Sequence, residues 1–244
     1  MLKLLQKIFD VGVVTEAFDG AATPERFRGR LEVERQGCRD CRQCVEACPV
    51  NAIQKQNGDI ALDTRACLFC GRCVEVCERH QLRHTNEYKL AALGDSLQEE
   101  LGTALLRRTR KLLRRSLQIR HVDAGSCNAC DFEMNALSNP FYDLQQYGID
   151  FVASPRHADM LMVTGVVTRN LTQALMMTYE AVPAPKLVMA VGACAATGKT
   201  YGESYAIRGG ADAVVPVDIY VPGCPPRPAA LLYALLLALD RLPR

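Results

Sequence analysis

The 244-residue chain has no tryptophan, only 6% aromatic residues and four histidines. Nothing in it supplies an aromatic platform or base-reading side chains, so we expect no nucleic-acid partner. The histidines share no spacing, which is typical of structural or solvated residues rather than of metal ligands. No apolar run reaches the length of about 18 residues that a transmembrane helix needs. The N-terminus lacks the apolar region and the small-residue cleavage site of a signal peptide, so none is expected.

Acidic residues are missing from one stretch of the chain. Residues 101–120 contain seven Lys or Arg side chains and no Asp or Glu. Helical spacing puts the leucines of residues 105–117 on one face and the basic side chains on the other. We therefore predict a basic amphipathic linker helix over residues 96–118, which would contact membrane-embedded partners or anionic headgroups. A solvated helix between two domains is the alternative interpretation.

Cysteine, in contrast, is abundant, with twelve residues. Eight of them form two C-x2-C-x2-C-x3-C runs offset by 29 positions, namely Cys38, Cys41, Cys44, Cys48 and Cys67, Cys70, Cys73, Cys77. Such a run holds a [4Fe–4S] cluster and gives its fourth cysteine to the neighbouring cluster. The predicted ligands are Cys38, Cys41, Cys44 and Cys77 for cluster one, and Cys67, Cys70, Cys73 and Cys48 for cluster two.

Two other uses of these cysteines fit the sequence less well. Zinc prefers two ligand pairs closing a tetrahedron, not a three-plus-one run that occurs twice. Disulfides need an oxidising compartment, and the sequence gives no sign of one. Residues 1–95 are therefore predicted to form a two-cluster ferredoxin domain of α+β type with an N-terminal extension.

Residues 119–244 alternate short apolar runs with helical patterns, which predicts an α/β, flavodoxin-like parallel-sheet domain. The predicted strands are Ile119–Val122, Ile149–Ala153, Met160–Thr164, Leu187–Val191, Ala213–Val217 and Tyr220–Val221. The predicted helices are Asp131–Leu137, Asn170–Ala181 and Pro226–Asp240.

The remaining cysteines are Cys127, Cys130, Cys194 and Cys224, and they follow predicted strands of this second domain. The carboxyl edge of a parallel sheet is where ligands bind, so four thiols meeting there predict a third, proximal [4Fe–4S] cluster. Glycines at 125, 192 and 223 would let the backbone approach that cluster. Any one of these cysteines taken alone could instead be a small buried apolar residue.

Residues 193–200 look like a relaxed phosphate-binding loop that follows a predicted strand. The leading glycine of that motif is missing, and Cys194 has a role as a cluster ligand. We therefore expect no nucleotide.

Several segments carry a family pattern. They are GSCNACDFE at 125–133, SPRHAD at 154–159, VTGVVT at 163–168, GAC at 192–194 and VDIYVPGCPP at 217–226. With them, residues 119–244 resemble the small subunit of group 4 membrane-associated [NiFe] hydrogenases of the formate hydrogenlyase type. They are also similar to the complex I component that holds the terminal iron–sulfur cluster. FRGR at 27–30 and LFCGRC at 68–73 resemble the two-cluster ferredoxin subunit of the same complexes. The whole chain resembles a fusion of the two subunits.

The spacing of Cys127 and Cys130 separates the two relatives, because the complex I component has adjacent cysteines at this position. Hydrogenase is therefore favoured over a complex I-like subunit that passes electrons to a quinone. A plain electron carrier without an enzyme partner is the other class considered.

The resemblance implies an oxidoreductase subunit that relays electrons through three [4Fe–4S] clusters. The nickel–iron site would lie on a [NiFe] hydrogenase-type large subunit, and the reaction would be proton reduction to hydrogen or its reverse. The electron donor would be a formate dehydrogenase, a CO dehydrogenase or a ferredoxin. The chain would lie peripherally on the cytoplasmic side of the inner membrane, against membrane-embedded subunits. Glu133 would be a proton relay near the proximal cluster, or else a carboxylate that stabilises a helix N-terminus.

Overall fold

A computed structural model describes residues 2–12, 15, 23–34, 41–56, 59–93 and 116–239. Cys38 and residues 94–115, which include most of the predicted basic helix, lie outside these ranges. Within them, no helix is long and apolar enough to cross a membrane.

The cysteine-rich part is built as two similar halves. Its elements are α1 (Leu2–Val11), β1 (Leu31–Val33), α2 (Gln43–Glu46), β2 (Ile53–Gln56), β3 (Asp59–Leu62), α3 (Arg72–Glu75), β4 (Leu82–His84) and β5 (Ala92–Leu93). Strand β1 pairs antiparallel with β4, and β2 pairs antiparallel with β3. Helices α2 and α3 are offset by 29 positions, as the cysteine runs are. The repeat in sequence is therefore also a repeat in structure.

The second part is a sheet of parallel strands with helices on both faces. Its elements are β6 (Leu117–Asp123), α4 (Ala129–Ala136), β7 (Ile149–Phe151), β8 (Met160–Thr164), β9 (Val167–Thr168), α5 (Arg169–Ala181), β10 (Leu187–Val191), α6 (Gly192–Thr197), β11 (Ile207–Gly209), β12 (Ile219–Val221) and α7 (Pro228–Ala238). The strand order is β5-β12-β10-β8-β6-β7, and the last five of these strands run parallel.

Side chains alternate between the two faces along the central strand β8, and an apolar core lies on each face of the sheet. Met160 and Met162 point into a core that Leu231 and Leu235 of α7 help to fill. Leu161 points to the opposite face, where the core includes residues of α5 and α6. Helix α7 is buried over most of its surface, which accounts for its nearly uninterrupted apolar sequence.

Most predicted elements differ from the observed ones by one or two residues at their ends, and three differences bear on the architecture. The predicted strand Ala213–Val217 is wrong, because the chain forms a 3-10 turn at Ala211–Ala213 and the described residues between that turn and β12 form no strand. Val215 and Val217 are apolar because they are buried in the core, not because they belong to a strand. Strand β6 begins at Leu117 rather than at residue 119, so the end of the predicted linker helix lies in the sheet. Helix α7 begins at Pro228, two residues later than predicted.

The cysteine-rich part also contributes a strand to the sheet. Strand β5 pairs antiparallel with β12, with Ala92 opposite Tyr220 and Leu93 opposite Ile219. The predicted domains 1–95 and 119–244 therefore share one sheet, and this pairing fixes the position of one part against the other.

Candidate iron–sulfur sites

The first group of thiols joins the two halves of the cysteine-rich part. Cys41 and Cys44 line a cavity of about 130 Å³ together with Cys77, which follows α3. Ile60 and Leu82 form apolar walls of the same cavity. The fourth residue predicted for this site, Cys38, lies outside the described part of the chain.

The second group contains the complementary cysteines. Cys48 lines a small cavity together with Cys67, Cys70 and Cys73. Burial first, and the neighbouring thiols of Cys67, Cys70 and Cys48 in addition, raise the pKa of the Cys73 thiol to about 11. Cys48 thus lies with the second run, and Cys77 lies with the first, which is the crossed arrangement that the spacing predicts.

The third group lies at the carboxyl edge of the sheet. Cys127 and Cys130 follow β6, Cys194 lies in α6 directly after β10, and Cys224 follows β12. Burial, followed by the neighbouring thiols of Cys194, Cys224 and Cys127, raises the pKa of Cys130 to about 12. Cys130 and Cys194 are buried, whereas Cys127 and Cys224 are exposed, so the group opens to the surface on one side.

The chemistry of all three groups suits iron–sulfur clusters. Each group consists of soft sulfur donors, which are the ligands that such clusters take. Thiols with raised pKa values stay protonated at neutral pH, so a bound metal would have to displace their protons. Among the described residues, no set of His, Cys, Asp and Glu side chains has the geometry of a single-ion metal site.

Of the three glycines predicted to let the backbone approach the third group, only Gly192 faces one of its cysteines. A Cβ atom on Gly192 would lie 2.7 Å from Cys130 Sγ, and the residue has φ +84°. A Cβ on Gly125 would instead meet Thr168, and one on Gly223 would meet Pro226. Close approach to the third group is therefore a property of Gly192, while Gly125 and Gly223 allow tight backbone packing.

The second and third groups are neighbours. Burial raises the pKa of the Cys224 thiol, and the thiols of Cys194, Cys127 and Cys70 raise it further. A cavity of about 170 Å³ lies at the same junction, lined by Leu68 and Phe69 from the cysteine-rich part and by Cys224 from the sheet part. Leu68 and Phe69, directly before Cys70, thus face the same cavity as Cys224, and this place is the junction between the second and third groups.

Charged side chains hold the two parts together around this junction. The Arg227 guanidinium lies over the rings of Phe27 and Tyr88, at 5.4 Å and 5.1 Å from their centroids. A second contact of this kind joins the two parts, with Arg65 Cζ 5.2 Å from the centroid of the Tyr220 ring. Contacts of this kind are worth about 0.5–2 kcal/mol each, depending on how far the cation is desolvated.

Lys199 belongs to the loop that resembles a phosphate-binding motif. Its ammonium group forms an ion pair with Asp63 of the cysteine-rich part, with Nζ and Oδ2 3.2 Å apart. The pKa of Asp63 is lowered, because the attraction of Lys199 and Arg65 outweighs the opposing effect of burial. The structure thus gives this lysine a role between the two parts of the chain.

A partly buried polar network beside Cys130, centred on the fully buried Thr164, was not predicted from the sequence. Thr164 donates a hydrogen bond to Asp131 Oδ1 at 2.9 Å, and His121 Nε2 lies 2.8 Å from the Thr164 hydroxyl and 2.9 Å from Asp131 Oδ1. Ser126 donates to the other oxygen of Asp131 at 2.6 Å. The signal in the sequence was Thr164 itself, the one polar residue at the end of the otherwise apolar strand β8.

This network ties the loop that carries Cys127 and Cys130 to the sheet, so removing one hydroxyl should loosen the third group. In a Thr164→Val variant, Asp131 and His121 lose a buried partner, at a cost of about 1–3 kcal/mol. We expect iron to leave the third group roughly 10–100 times more readily, as is usual for changes behind metal ligands. Iron loss under chelator challenge measures this.

Thr178→Val is the matched control, because it removes one exposed hydroxyl on α5 that donates to Ala174 O at 2.7 Å. Equal chelator resistance of both variants would contradict a role of the network in holding the third group.

Glu133 lies half-buried on α4, three residues after Cys130. Burial raises the pKa of its carboxyl group, and the positive charge of Arg227 partly opposes that rise. The predicted relay residue is thus close to Arg227 and to the helix that carries Cys130.

Comparison with known proteins gives matches for both parts. Residues 127–238 match the family described as NADH ubiquinone oxidoreductase, 20 kDa subunit, and residues 37–82 match the 4Fe-4S dicluster domain. The chain is 46% identical over 132 residues to a probable membrane-bound hydrogenase subunit mbhJ of Pyrococcus furiosus, covering 54% of this chain and 79% of that protein.

Two further matches cover similar shares of this chain. The chain is 43% identical over 132 residues to formate hydrogenlyase subunit 7 of Escherichia coli, covering 54% of this chain and about half, 52%, of that protein. A chain of the archaeal membrane-bound sulfane sulfur reductase complex is 34% identical, with a TM-score of 0.48, and the match covers 55% of this chain and 73% of that one. The extent and identity of the match to the Pyrococcus protein establish that this chain belongs to the family of the NADH ubiquinone oxidoreductase 20 kDa subunit, here combined with a 4Fe-4S dicluster domain.

Proposed function

We propose that this chain is the electron-transfer subunit of a membrane-associated [NiFe] hydrogenase complex of the formate hydrogenlyase type. The observation that carries the proposal is the junction of Cys70 and Cys224, where the segment before Cys70 and the third thiol group line one cavity within a single chain. The relatives named as a membrane-bound hydrogenase subunit and a formate hydrogenlyase subunit support this function.

The thiols would hold three [4Fe–4S] clusters. Cluster one takes Cys38, Cys41, Cys44 and Cys77, cluster two takes Cys67, Cys70, Cys73 and Cys48, and the proximal cluster takes Cys127, Cys130, Cys194 and Cys224. Bound clusters of this type supply stepwise one-electron transfer at low potential. The Cys70–Cys224 junction supports an order in which cluster two is the neighbour of the proximal cluster. Cluster one then faces the external donor, which would be a formate dehydrogenase, a CO dehydrogenase or a ferredoxin.

The exposed side of the proximal group is the proposed contact with the large subunit that carries the nickel–iron site. Cys127 and Cys224 are exposed there, and Tyr201, 53% exposed, interacts electrostatically with Cys127. Phe132, two residues after Cys130, is 73% exposed. Exposed aromatic side chains around a functional group are typical of a protein interface. Glu133 would carry protons near this contact.

Helix α1 is the proposed contact with membrane-embedded subunits at the cytoplasmic side of the inner membrane. Its apolar side chains are exposed, from Leu5 at 50% to Phe9 at 84%. Lys3, Gln6, Lys7 and Asp10 lie together on the remaining side of the helix, which makes α1 strongly amphipathic. An apolar stripe beside a polar side that carries two lysines fits a partner whose surface is apolar next to anionic headgroups.

A charge placed in this apolar stripe should weaken membrane attachment. We expect an Ile8→Asp variant to cost about 1–3 kcal/mol of contact energy, so that retention of the tagged complex on washed membranes falls roughly tenfold. Gln6→Asp adds the same charge on the polar side and should leave retention unchanged. Equal loss in both variants, or none in either, would exclude α1 as the contact.

The second candidate function is a complex I-like role in which the chain passes electrons to a quinone, which the family description of residues 127–238 favours. The two residues between Cys127 and Cys130 favour the hydrogenase type. Both functions use the same thiol groups, so the distinction depends on the large subunit.

The test is a complex isolated anaerobically through a tag on this chain. We expect hydrogen-dependent viologen reduction together with about one nickel per chain. Quinone reduction without nickel and without hydrogen-dependent activity would replace the first function by the second. A chain that retains its iron but co-purifies with no large subunit would instead identify a plain electron carrier.

A further inference from the structure

Arg28 lies at the junction between the second and third thiol groups. Its guanidinium Nη1 donates a hydrogen bond to the backbone carbonyl of Cys70. The same guanidinium packs against Gly71, where an added Cβ atom would lie 3.1 Å from Arg28 Cζ. Arg28 also lines the 170 Å³ cavity that Phe69 and Cys224 line. The hydrogen bond to Cys70 and the packing against Gly71 therefore hold this cation next to Cys70.

The conformation at Gly71 is part of the arrangement. Gly71 has φ +84°, so the chain turns directly after Cys70 in a way that glycine adopts without strain. The absent side chain leaves the space that the Arg28 guanidinium occupies. Gly71 in the second cysteine run thus leaves room for Arg28, which lies 42 positions before Cys70 in the chain.

A fixed cation beside a cluster ligand acts on the reduction equilibrium. A reduced cluster carries one more negative charge than an oxidised one, and a nearby positive charge therefore stabilises the reduced form. Net charge and hydrogen bonds around a cluster are among the factors that set its potential. The guanidinium is solvent-exposed on its other side, so screening limits the effect to part of its full Coulomb value.

We propose that the Arg28 guanidinium raises the reduction potential of cluster two, so that the cluster beside the proximal cluster is more readily reduced. This inference rests on the cluster assignment under the proposed function. Cluster two is then easier to reduce than it would be with the thiols and backbone alone. Arg28 makes no contact with the described residues of the first group, so cluster one should not respond.

Arg30 provides a matched control. It belongs to the same FRGR segment and is exposed, and its backbone N–H donates to Glu87 O at 2.9 Å. Arg30→Gln removes the same charge as Arg28→Gln, two residues away and without the contact to Cys70. Arg28→Lys keeps the charge but cannot reproduce the planar guanidinium contact.

The experiment is a redox titration of the full, cluster-loaded chain, followed by electron paramagnetic resonance. Arg28→Gln should lower the potential of a single cluster, changing its ratio of reduced to oxidised form about three- to tenfold at fixed potential; tenfold corresponds to about 59 mV for one electron. The affected signal should be the one that a Cys48→Ala variant lacks. Arg28→Lys should restore at least half of the shift, and Arg30→Gln should cause none.

Several results would overturn the proposal. They are an unchanged potential in Arg28→Gln, an equal shift in Arg30→Gln, a shift of all clusters together, or a shift in Arg28→Lys as large as in Arg28→Gln. The titration uses neither hydrogen nor nickel, so the hydrogenase function can fail while the role of Arg28 stands. If the unaltered chain binds no cluster in the second group, both the assignment and the role of Arg28 fail.

Discussion

Replacing Cys48 with alanine is expected to remove cluster two, whose other three ligands come from the second cysteine run. The chain should lose about four of its iron atoms, although Cys48 lies in the first run. The reason is the position of Cys48, which lines the same cavity as Cys67, Cys70 and Cys73. Iron and sulfide analysis of the anaerobically purified chain measures the loss.

Double variants test the crossed assignment through iron content alone, so no spectroscopic signal has to be assigned to a particular cluster. Cys48→Ala combined with Cys70→Ala should lose no more iron than either change alone, because both residues hold one cluster. Cys48→Ala combined with Cys41→Ala should lose about twice as much, because these residues hold different clusters. The opposite pattern, with Cys48 and Cys41 acting as one unit, would mean that each run holds its own cluster.

Replacing Gly192 with alanine is expected to remove the proximal cluster selectively. The new methyl group would lie 2.7 Å from Cys130 Sγ, a distance at which the thiol must move. The left-handed backbone at φ +84° adds a cost of about 1–2 kcal/mol for any residue with a Cβ. We expect hydrogen-dependent viologen reduction to fall by about two orders of magnitude or more, as misplaced reacting groups commonly do. The ferredoxin clusters should remain.

Gly202→Ala separates the two effects at position 192. Gly202 also has a positive φ, +67°, with ψ −167°, but nothing lies within 4 Å of its added Cβ. It should therefore lose a comparable amount of stability in thermal unfolding while keeping its iron and its activity. If Gly202→Ala loses the proximal cluster as readily as Gly192→Ala does, backbone strain rather than contact with Cys130 explains the effect.

The elements that could be predicted from the sequence are those in which one local pattern dominates. Strands β8 and β10 have the bounds predicted, because each is a short apolar run buried on both faces. The 29-residue offset of the cysteine runs recurs as the offset between α2 and α3, although these two short helices were not themselves predicted. The crossed grouping of Cys48 and Cys77 was likewise accessible from spacing alone, and it stays a prediction until iron is counted.

The features that could not be predicted depend on contacts between distant residues. Strand β5 has two residues, and only its pairing with β12 identifies it as part of the sheet. The contact of Arg28 with Cys70 spans 42 positions, and no local pattern in FRGR indicates it. Residues 213–217 were predicted as a strand because burial alone makes them apolar, and periodicity cannot separate a buried turn from a buried strand over so short a run.

The measurement that tests the central claim most directly is the order in which the clusters become reduced after the complex is mixed with hydrogen. Samples frozen at successive times are read by electron paramagnetic resonance, with signals assigned from the Cys194→Ala, Cys48→Ala and Cys77→Ala variants. The junction of Cys70 and Cys224 predicts that the proximal cluster is reduced first, cluster two next and cluster one last. Reduction of cluster one before the proximal cluster, or no reduction by hydrogen at all, would contradict an electron path from a nickel–iron site through this chain.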